Sequence, residues 1–291
     1  VQQAIALGME PVRALRLASI NAARIYGLKR LGAIAPGWQA DLVVFDNLES
    51  LTPQAVYYKG RDAWKETAMV QPVLPEAALQ GSVRPAAFSE ETFSPERFAA
   101  NKEYAVIEML PGEIFTERSS IKGAEVKEAL AKGELYLIAV LERHHATGNV
   151  GLGLLRGYGL QKGAAATTVA HDSHNLIVIG TNAQDMALAA QELVRVQGGY
   201  TLVHEGSVVG TVPLNICGLM SSVPAEQLIA SLEQISAQAR AQGVHEGIDP
   251  FISLSFMALP VIPKLRITDM GMFDVDKFTF VEHEGQYICI N

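Results

Sequence analysis

Residues 164–199 read AAATTVAHDSHNLIVIGTNAQDMALAAQELVRVQGG, and their pattern indicates the fold of the second half of the chain. The polar run AHDSHN, at 170–175, is flanked by small and β-branched residues, which are typical of strands rather than helices. Residues three apart on a strand point to opposite faces, so His171 and His174 could not converge there. A turn, in contrast, brings its ends within about 7 Å. The sequence therefore predicts two strands joined by a turn with Asp172 and Ser173 at its tip.

A helix is predicted to follow the second of these strands. Asn182 can cap its first turn, with Asp185 three residues further along the chain. An apolar stripe recurs at helical spacing and comprises Met186, Ala190, Leu193 and Val194. The glycines at 198–199 are expected to end the helix.

Further strands and a second helix extend this pattern in both directions. Apolar runs at 104–110 and 135–143 predict strands. A hairpin is predicted to turn at Glu205-Gly206, and a second helix is expected over about 224–242. We interpret residues 102–291 as an α+β domain, with a mixed sheet and helices packed against it.

The first hundred residues divide into two parts. Residues 1–66 contain two helical segments, a short strand at 41–45 that is expected to be buried, and a strand pair around Lys59-Gly60. Prolines recur without periodicity across 67–101, which we interpret as a linker or wrapping segment. The chain opens in helical sequence without an initiator Met, as expected of a piece of a longer protein.

Composition limits the class of protein. The formal net charge of −8 argues against a general nucleic-acid binder, because no excess of Lys and Arg can neutralise phosphates. The two cysteines indicate a reducing compartment, and we expect a cytoplasmic protein. No apolar stretch has the length of a membrane span, so no membrane partner is expected.

Two hypotheses remain open for the polar turn. In the functional hypothesis, His171, Asp172 and His174 ligate a divalent metal or move protons beside a substrate. In the structural hypothesis, Asp172 and Ser173 hydrogen-bond to their own backbone, and the histidines are exposed or satisfied in the core. Two imidazoles and one carboxylate form a weak metal signal, so the residues alone favour the structural hypothesis.

Other polar residues give weaker signals. His144 and His145 follow a strand, where neighbouring side chains diverge, and a polar strand end is their simplest interpretation. The sequence dictates no partner for Cys217, which favours an inert thiol over a nucleophile. Neither G-x-S-x-G nor H-E-x-x-H occurs, so serine-hydrolase and zinc-protease classes have no local support.

Residues 10–45 resemble the closing section of the amidohydrolase superfamily. In that superfamily a last barrel helix ends in a T/S-x-N-x-A-like stretch, here residues 19–23, and leads into a small β-sandwich. The positions that match its G-x-I-x-P-G-x-x-A-D-L-V pattern are Gly32, Ile34, Pro36, Gly37, Ala40, Asp41 and Leu42. The resemblance implies that residues 1–66 are the end of a TIM-like barrel and part of the sandwich.

The second half resembles the C-terminal domain family of bacterial adenine deaminases. The stretches that carry the resemblance are AATTVAHDSHNLIVIGTNAQDMALA, VPLNICGLMSS and ALPVIPKLRITDMGMFD. The resemblance implies hydrolysis of adenine to hypoxanthine and ammonia at a divalent metal centre, manganese or iron, in the barrel. It also implies a place in purine metabolism and a homo-oligomeric assembly.

The primary metal ligands of that family are expected on chain upstream of these residues, so this chain alone is expected to be inactive. The resemblance favours a functional AHDSHN turn, which we expect near the barrel mouth of the same or a neighbouring subunit. His171, Asp172 and His174 are accessory catalytic candidates, and the two histidines are also candidates for an accessory metal site. Asn175 and Ser173 are candidates for binding the purine.

Two rival hypotheses come from other classes. The chain could be a structural and oligomerising module of another amidohydrolase, in which the turn holds an interface through buried hydrogen bonds. It could also be an independent metal-binding or hydrolytic domain. Metal content and adenine turnover of the purified chain would separate these hypotheses.

Overall fold

The computed structural model describes residues 1–65, 79–281 and 289–290, which fall into two compact units. The first unit lies within Val1–Gln71 and the second within Pro72–Asn291. Among the described residues, no helix is both long and apolar enough to cross a membrane.

The first unit begins with short helices. They are α1 (Gln2–Ala6), α2 (Pro11–Arg16) and α3 (Ala22–Ile25), with a π-helical turn at Leu17–Asn21 between α2 and α3. Glu10 caps α2, because its carboxylate accepts from the backbone N–H of Val12 at 3.0 Å and of Arg13 at 2.8 Å. Pro11 suits the first helical position, where its missing N–H costs no hydrogen bond.

The described part of the first unit ends in a small antiparallel sheet. Its strands are β1 (Leu42–Phe45), β2 (Pro53–Tyr58) and β3 (Arg61–Asp62), in that order. The predicted pair that turns at Lys59 and Gly60 is confirmed as β2 and β3. The predicted burial of β1 was wrong, since Val43 and Val44 are 48% and 47% exposed. No second layer of the described residues of this unit covers these two side chains.

The described residues of the second unit form a nine-stranded mixed sheet. Its strands are β4 (Glu103–Met109), β5 (Thr116–Lys122), β6 (Tyr136–Leu141), β7 (Val150–Arg156), β8 (Ala164–Thr167), β9 (Leu176–Gly180), β10 (Gly199–His204), β11 (Ser207–Pro213) and β15 (Cys289–Ile290). The order is β11-β10-β8-β9-β6-β7-β4-β5, and β15 also pairs with β7. The β4 and β7 strands are parallel, and the other neighbours are antiparallel.

Two apolar cores lie on the two faces of this sheet. In β6, Tyr136, Ile138 and Val140 belong to one core, and the residues between them belong to the other, as the two-residue period of a strand requires. The first core is covered by α6 (Ala225–Ala241), α7 (Ile252–Met257) and strand β12 (Leu265–Thr268), which pairs with β13 (Gly271–Asp274) and, through it, β14 (Thr279–Phe280). The second is covered by α4 (Gly123–Ala131) and α5 (Ala183–Val196). Sheet and helices together confirm the predicted α+β class.

The two predicted helices of the second unit are confirmed as α5 and α6, whereas α4 and α7 were not predicted. The side chain of Asn182 caps α5, since its Oδ1 accepts from the backbone N–H of Asp185 at 2.8 Å. The helix ends at Val196, followed by Gln197 in the left-handed region at φ 63°. The predicted stop at Gly198 was therefore one residue late.

Replacing Asn182 with alanine is expected to lower the free energy of unfolding by about 1 kcal/mol, because an N–H of the first turn of α5 loses its acceptor. Asn182→Ser should restore most of the loss, since a serine hydroxyl can accept the same hydrogen bond. Urea unfolding of the three proteins measures the effect. Equal stability of N182A and the wild type would contradict the capping role.

The described part of the predicted linker packs against the core on the α5 side. It contains short 3₁₀-helical turns at Glu90–Phe93 and Pro95–Arg97. Val83, Phe93 and Phe98 are buried there, with 5% or less of each exposed. Residues 67–78 of the predicted segment 67–101 lie outside the described residues, so the boundaries of this segment stay a prediction.

Candidate functional site

The AHDSHN turn (170–175) joins β8 to β9, which pair as antiparallel neighbours. The backbone N–H of His174 donates to the carbonyl of Ala170 at 2.6 Å and closes the turn. Ala170 is fully buried, whereas Asp172 and Ser173 are exposed at the tip. The predicted polar turn between two buried strands is confirmed.

The two histidines of the turn lie near each other. The ring centroids of His171 and His174 are 6.4 Å apart, and both side chains are half-buried. The ring of His171 also lies against Phe256, with 5.2 Å between the centroids, and its backbone N–H donates to the carbonyl of Ser255 at 3.3 Å. The turn and α7 therefore hold two proton-transferring groups at one end of the sheet.

A buried arginine ties the turn to two other segments. Arg143 directly follows Glu142 at the end of β6 and is only 1% exposed. Its Nε donates to the carbonyl of His174, its Nη1 to that of Ser82 at 3.1 Å, and its Nη2 to that of Cys217 at 3.1 Å. A guanidinium carries five N–H donors in a planar fork, so one side chain can serve three acceptors.

The loop after β6 contacts the turn a second time. The Nε2 of His144 lies 2.8 Å from the carbonyl of Ser173, and because a carbonyl only accepts, Nε2 carries the proton. Glu142 closes this loop, since its carboxylate accepts from the backbone N–H groups of His144, of His145 at 2.9 Å and of Thr147 at 3.0 Å. Two successive carbonyls of the turn are thus held by side chains that follow β6.

Two polar atoms of the turn are buried without a hydrogen-bond partner among the described residues, namely His174 Nδ1 and Asn175 Oδ1. Asn175 as a whole is 4% exposed. An unpaired buried polar atom costs about 1–3 kcal/mol, so a stable fold that keeps one marks a place for a ligand or a water molecule. Both atoms have almost no accessible surface, so a ligand would reach them only after the neighbouring side chains move.

The surroundings favour the neutral form of His174. Burial lowers the pKa of His174, and the charges of Arg143, His171 and His144 lower it further, against the opposing effect of Asp172. A neutral imidazole offers one N–H donor and one acceptor nitrogen, so it can both donate a hydrogen bond and accept a proton. Burial also lowers the pKa of Arg143 to about 10, which leaves the guanidinium charged at neutral pH.

Stability is expected to fall as the pH is lowered through the ordinary histidine value of 6.5, because of His174. Its pKa is lower in the folded state, so the unfolded chain binds more protons in that range and stability rises with pH. One such group contributes a slope of at most about 1.4 kcal/mol per pH unit. Urea unfolding between pH 7.5 and 5 should show a flatter profile for H174Q than for the wild type. Parallel profiles would contradict the assignment to His174.

The described residues do not supply a complete metal centre. Among them, no group of three or more His, Cys, Asp or Glu side chains could hold a metal ion. His171 and His174 offer two imidazoles, whereas catalytic zinc sites, for comparison, take three protein ligands. The divalent centre that the sequence implies therefore does not fit on these residues alone. An accessory metal on the two histidines stays a prediction.

Sequence reasoning missed the residues that hold the turn. His144 was interpreted as a polar strand end, but its ring reaches the turn, and Arg143 and Glu142 were not singled out. The available signal was the polar run Glu142-Arg143-His144-His145. It directly follows β6, a strand in which every residue is buried. Cys217 joins the site through its carbonyl.

Comparisons with known sequences define the class of protein. The sequence model of the amidohydrolase family matches residues 2–81, which include the helices and the small sheet of the first unit. The model described as the adenine deaminase C-terminal domain matches residues 113–279, which is more than half of the chain and includes the AHDSHN turn. The chain therefore belongs to the adenine deaminase C-terminal domain family.

Proteins named adenine deaminase are similar to this sequence over nearly its full length. Proteins named adenine deaminase from Dehalococcoides mccartyi and Halalkalibacterium halodurans are 44% and 39% identical over 290 and 292 residues. A protein named adenine deaminase 1 from Rhizobium etli is 42% identical over 290 residues. The alignments cover 97–98% of this chain but 50% of each relative, so the chain spans about half the length of the curated relatives it matches.

Proposed function

We propose that this chain is the carboxy-terminal part of a metal-dependent adenine deaminase, which hydrolyses adenine to hypoxanthine and ammonia. The observation that carries the proposal is the match to the adenine deaminase C-terminal domain over residues 113–279. The name shared by the relatives supports adenine as the substrate and a role in purine metabolism. The two cysteines support a reducing compartment such as the cytoplasm.

In this proposal the divalent metal, manganese or iron, is bound by a barrel that corresponds to the half of the relatives not spanned here. Apolar side chains of the first unit support this division, since Ile25, Tyr26 and Ile34 are 81%, 80% and 88% exposed. Large apolar side chains exposed to this extent favour a surface that packs against another layer. The remainder of the barrel is the proposed cover.

The AHDSHN turn is proposed to lie near the barrel mouth, in the same subunit or in a neighbouring subunit of an oligomer. Asn175 or Ser173 then hydrogen-bonds the purine edge. His171, Asp172 and His174 form the proposed proton path, because the neutral imidazole can carry a proton toward the departing ammonia. The exposed position of Asp172 and Ser173 at the tip of the turn supports a role in binding.

The full-length protein is expected to convert adenine to hypoxanthine with release of ammonia, and to need its metal for the reaction. Removing the metal with a chelator should lower turnover by at least about 10²-fold, since a catalytic metal contributes several kcal/mol. Manganese or iron should restore the activity. The absorbance of adenine and an ammonia assay measure turnover after the metal is removed and after it is added back. Turnover of another cyclic amide, with none of adenine, would instead indicate a different amidohydrolase.

A structural and oligomerising module is the second candidate function. The observation in its favour is that Arg143 and His144 bind backbone carbonyls of the turn, as in a turn that only stabilises the fold or an interface. Alanine changes in the turn would then lower stability or break the assembly while the surviving oligomer kept its activity per subunit. Size-exclusion chromatography combined with an activity assay separates the two functions.

A further inference from the structure

An open hollow in the first unit is lined by three cationic side chains. Its volume is about 660 Å³, which lies within the range of about 300–1,000 Å³ that small-molecule sites occupy. Its lining includes Lys29, Arg30, Trp38, Gln39 and Lys59, and we call these residues the cationic hollow. The lining, all of it within the described part of the first unit, contains no Asp or Glu.

Backbone hydrogen bonds bring the three cations together from separate parts of the chain. The N–H of Gln39 donates to the carbonyl of Arg30 at 3.1 Å, which joins the loop after α3 to the segment before β1. The N–H of Lys59, in the turn between β2 and β3, donates to the carboxylate of Asp41 at 2.8 Å. The other oxygen of Asp41 accepts from the side-chain amide of Gln39 at 2.6 Å. Asp41 therefore holds the loops that form the hollow.

The positive charge of the hollow is not balanced within the described residues. None of the side chains of Lys29, Arg30 and Lys59 forms an ion pair with a described carboxylate. The Nζ of Lys59 instead lies 4.9 Å from the ring centroid of Tyr58. Residues 1–65 contain more Lys and Arg than Asp and Glu, although the whole chain carries a formal charge of −8. Because like charges close together repel, these cations favour a bound anion.

Two of the cations lie where the backbone favours other residues. Arg30 and Lys59 have φ angles of 61° and 51°, in the left-handed region. Lys59 precedes Gly60 in a hairpin turn, a position at which Asn, Asp and Gly are preferred. An unfavourable backbone conformation that is retained points to a functional role for the residue that adopts it. The positions of Arg30 and Lys59 therefore indicate that their charge is used.

An aromatic side chain lines the same hollow. Trp38 is half-buried, and with Gln39 it occupies the two unspecified positions of the P-G-x-x-A-D part of the superfamily pattern. The pattern therefore does not account for either residue. An indole ring provides a stacking surface for a nucleic-acid base. Guanidinium and ammonium groups bind phosphate oxygens through charge-assisted hydrogen bonds.

We infer that the cationic hollow binds a phosphate group, in the form carried by a nucleoside monophosphate. Arg30 donates to the phosphate oxygens, Lys29 and Lys59 neutralise their charge, and Trp38 stacks on the base. The hollow takes part in no step of the proposed deamination. Binding is therefore measured without reference to turnover, and a failure of either assignment leaves the other intact.

The test is calorimetric titration of the full-length protein at low ionic strength with adenosine monophosphate, ribose phosphate and inorganic phosphate. Adenosine monophosphate should bind with a Kd below about 1 mM. Ribose phosphate and inorganic phosphate should bind about tenfold more weakly, because they lack the base that stacks on Trp38. W38A should bring adenosine monophosphate and ribose phosphate to within about twofold of each other.

Charge-removing variants locate the bound phosphate. R30N and K59N should each weaken the binding of all three probes by about tenfold, since each removes a charged donor. Asparagine tolerates a positive φ, so both loops are expected to keep their conformation. Lys65 provides the matched control, because its side chain is 84% exposed and its Nζ lies 3.2 Å from the carboxylate of Asp62. K65Q should bind within about twofold of the wild type.

The outcomes separate the site from its alternatives. Absence of saturable binding to the wild type would overturn the site, as expected if another segment of the protein covers the hollow. Binding that R30N and K59N leave unchanged would place the phosphate elsewhere, such as at the metal, and would also overturn it. Equal affinity for adenosine monophosphate and ribose phosphate would overturn the assignment to a nucleotide. Expected binding by a protein without adenine turnover would overturn the proposed function alone.

Discussion

Replacing His171, Asp172 and His174 together with alanine in the full-length protein is expected to lower kcat/KM for adenine by about 10²- to 10³-fold. The reason is that a positioned acid or base contributes about 10²- to 10⁴-fold, and these side chains are the proton-transferring groups of the AHDSHN turn. The backbone hydrogen bonds from Arg143 and His144 do not depend on the three deleted side chains. The fold is therefore expected to survive the change.

The triple variant is to be compared with the wild type in three measurements: kcat/KM, bound metal and oligomeric state. His204 provides a matched control, since it is a half-exposed histidine at the end of β10, and its Nδ1 lies 3.3 Å from the carbonyl of Lys162. H204A should behave as the wild type. Unchanged turnover and metal content in the triple variant would contradict a functional turn. A broken oligomer with normal activity per subunit would favour the structural module.

Replacing Glu142 with alanine is expected to lower the free energy of unfolding by about 3 kcal/mol, since hydrogen bonds to a charged acceptor contribute about 1.5–3 kcal/mol each. Glu142 is 8% exposed, and its carboxylate accepts from the backbone N–H groups of His144, His145 and Thr147. In E142A these three N–H groups lose their acceptor, and water can replace it for only part of them. The loop that holds Ser173 should loosen as well, so activity should fall together with stability.

The pH dependence of E142A follows from the same contacts. Burial raises the pKa of Glu142, but the hydrogen bonds from Thr147, His145 and His144 together bring it below its ordinary value of 4.5. A carboxyl with a lowered pKa stabilises the fold above that pH, and the contribution is lost as the pH falls through and below it. Urea unfolding at pH 7 and pH 4 should therefore show a smaller difference between E142A and the wild type at pH 4. E142Q should lie between them at pH 7, and a difference independent of pH would contradict this origin.

The turn could be predicted from the sequence because its signal is local. The spacing of His171 and His174, with β-branched residues on both sides, leaves a turn as the arrangement in which both imidazoles converge. The cap of α5 at Asn182 is likewise encoded within three residues. Such features depend on neighbours in the chain and need no knowledge of the tertiary fold.

The residues that hold the turn could not be found in the same way. The acceptors of Arg143 come from positions 82, 174 and 217, which are distant in sequence and are brought together by the sheet. An arginine after an apolar strand resembles an exposed strand end, because arginine is rarely buried in full. The short helix α7 was missed because its six residues, ISLSFM, alternate apolar side chains with serine and therefore give no helical period.

The exposure of β1 has a related cause. The run at 41–45 is apolar, and an apolar run predicts a covered strand. Whether a strand is covered depends on which other layers pack on it, and the described residues of the first unit leave Val43 and Val44 open. Under the proposed function, other strands of the sandwich cover these side chains in the full enzyme.

The most direct test of this account measures adenine turnover and bound metal in the 291-residue chain purified alone, beside the full-length protein. Under the proposed function the barrel holds the metal centre and the AHDSHN turn has a supporting role. We expect the full-length protein to bind manganese or iron and to deaminate adenine, whereas the isolated chain should fold, hold at most an accessory metal on His171 and His174, and show no turnover. Adenine turnover in the isolated chain would contradict this assignment.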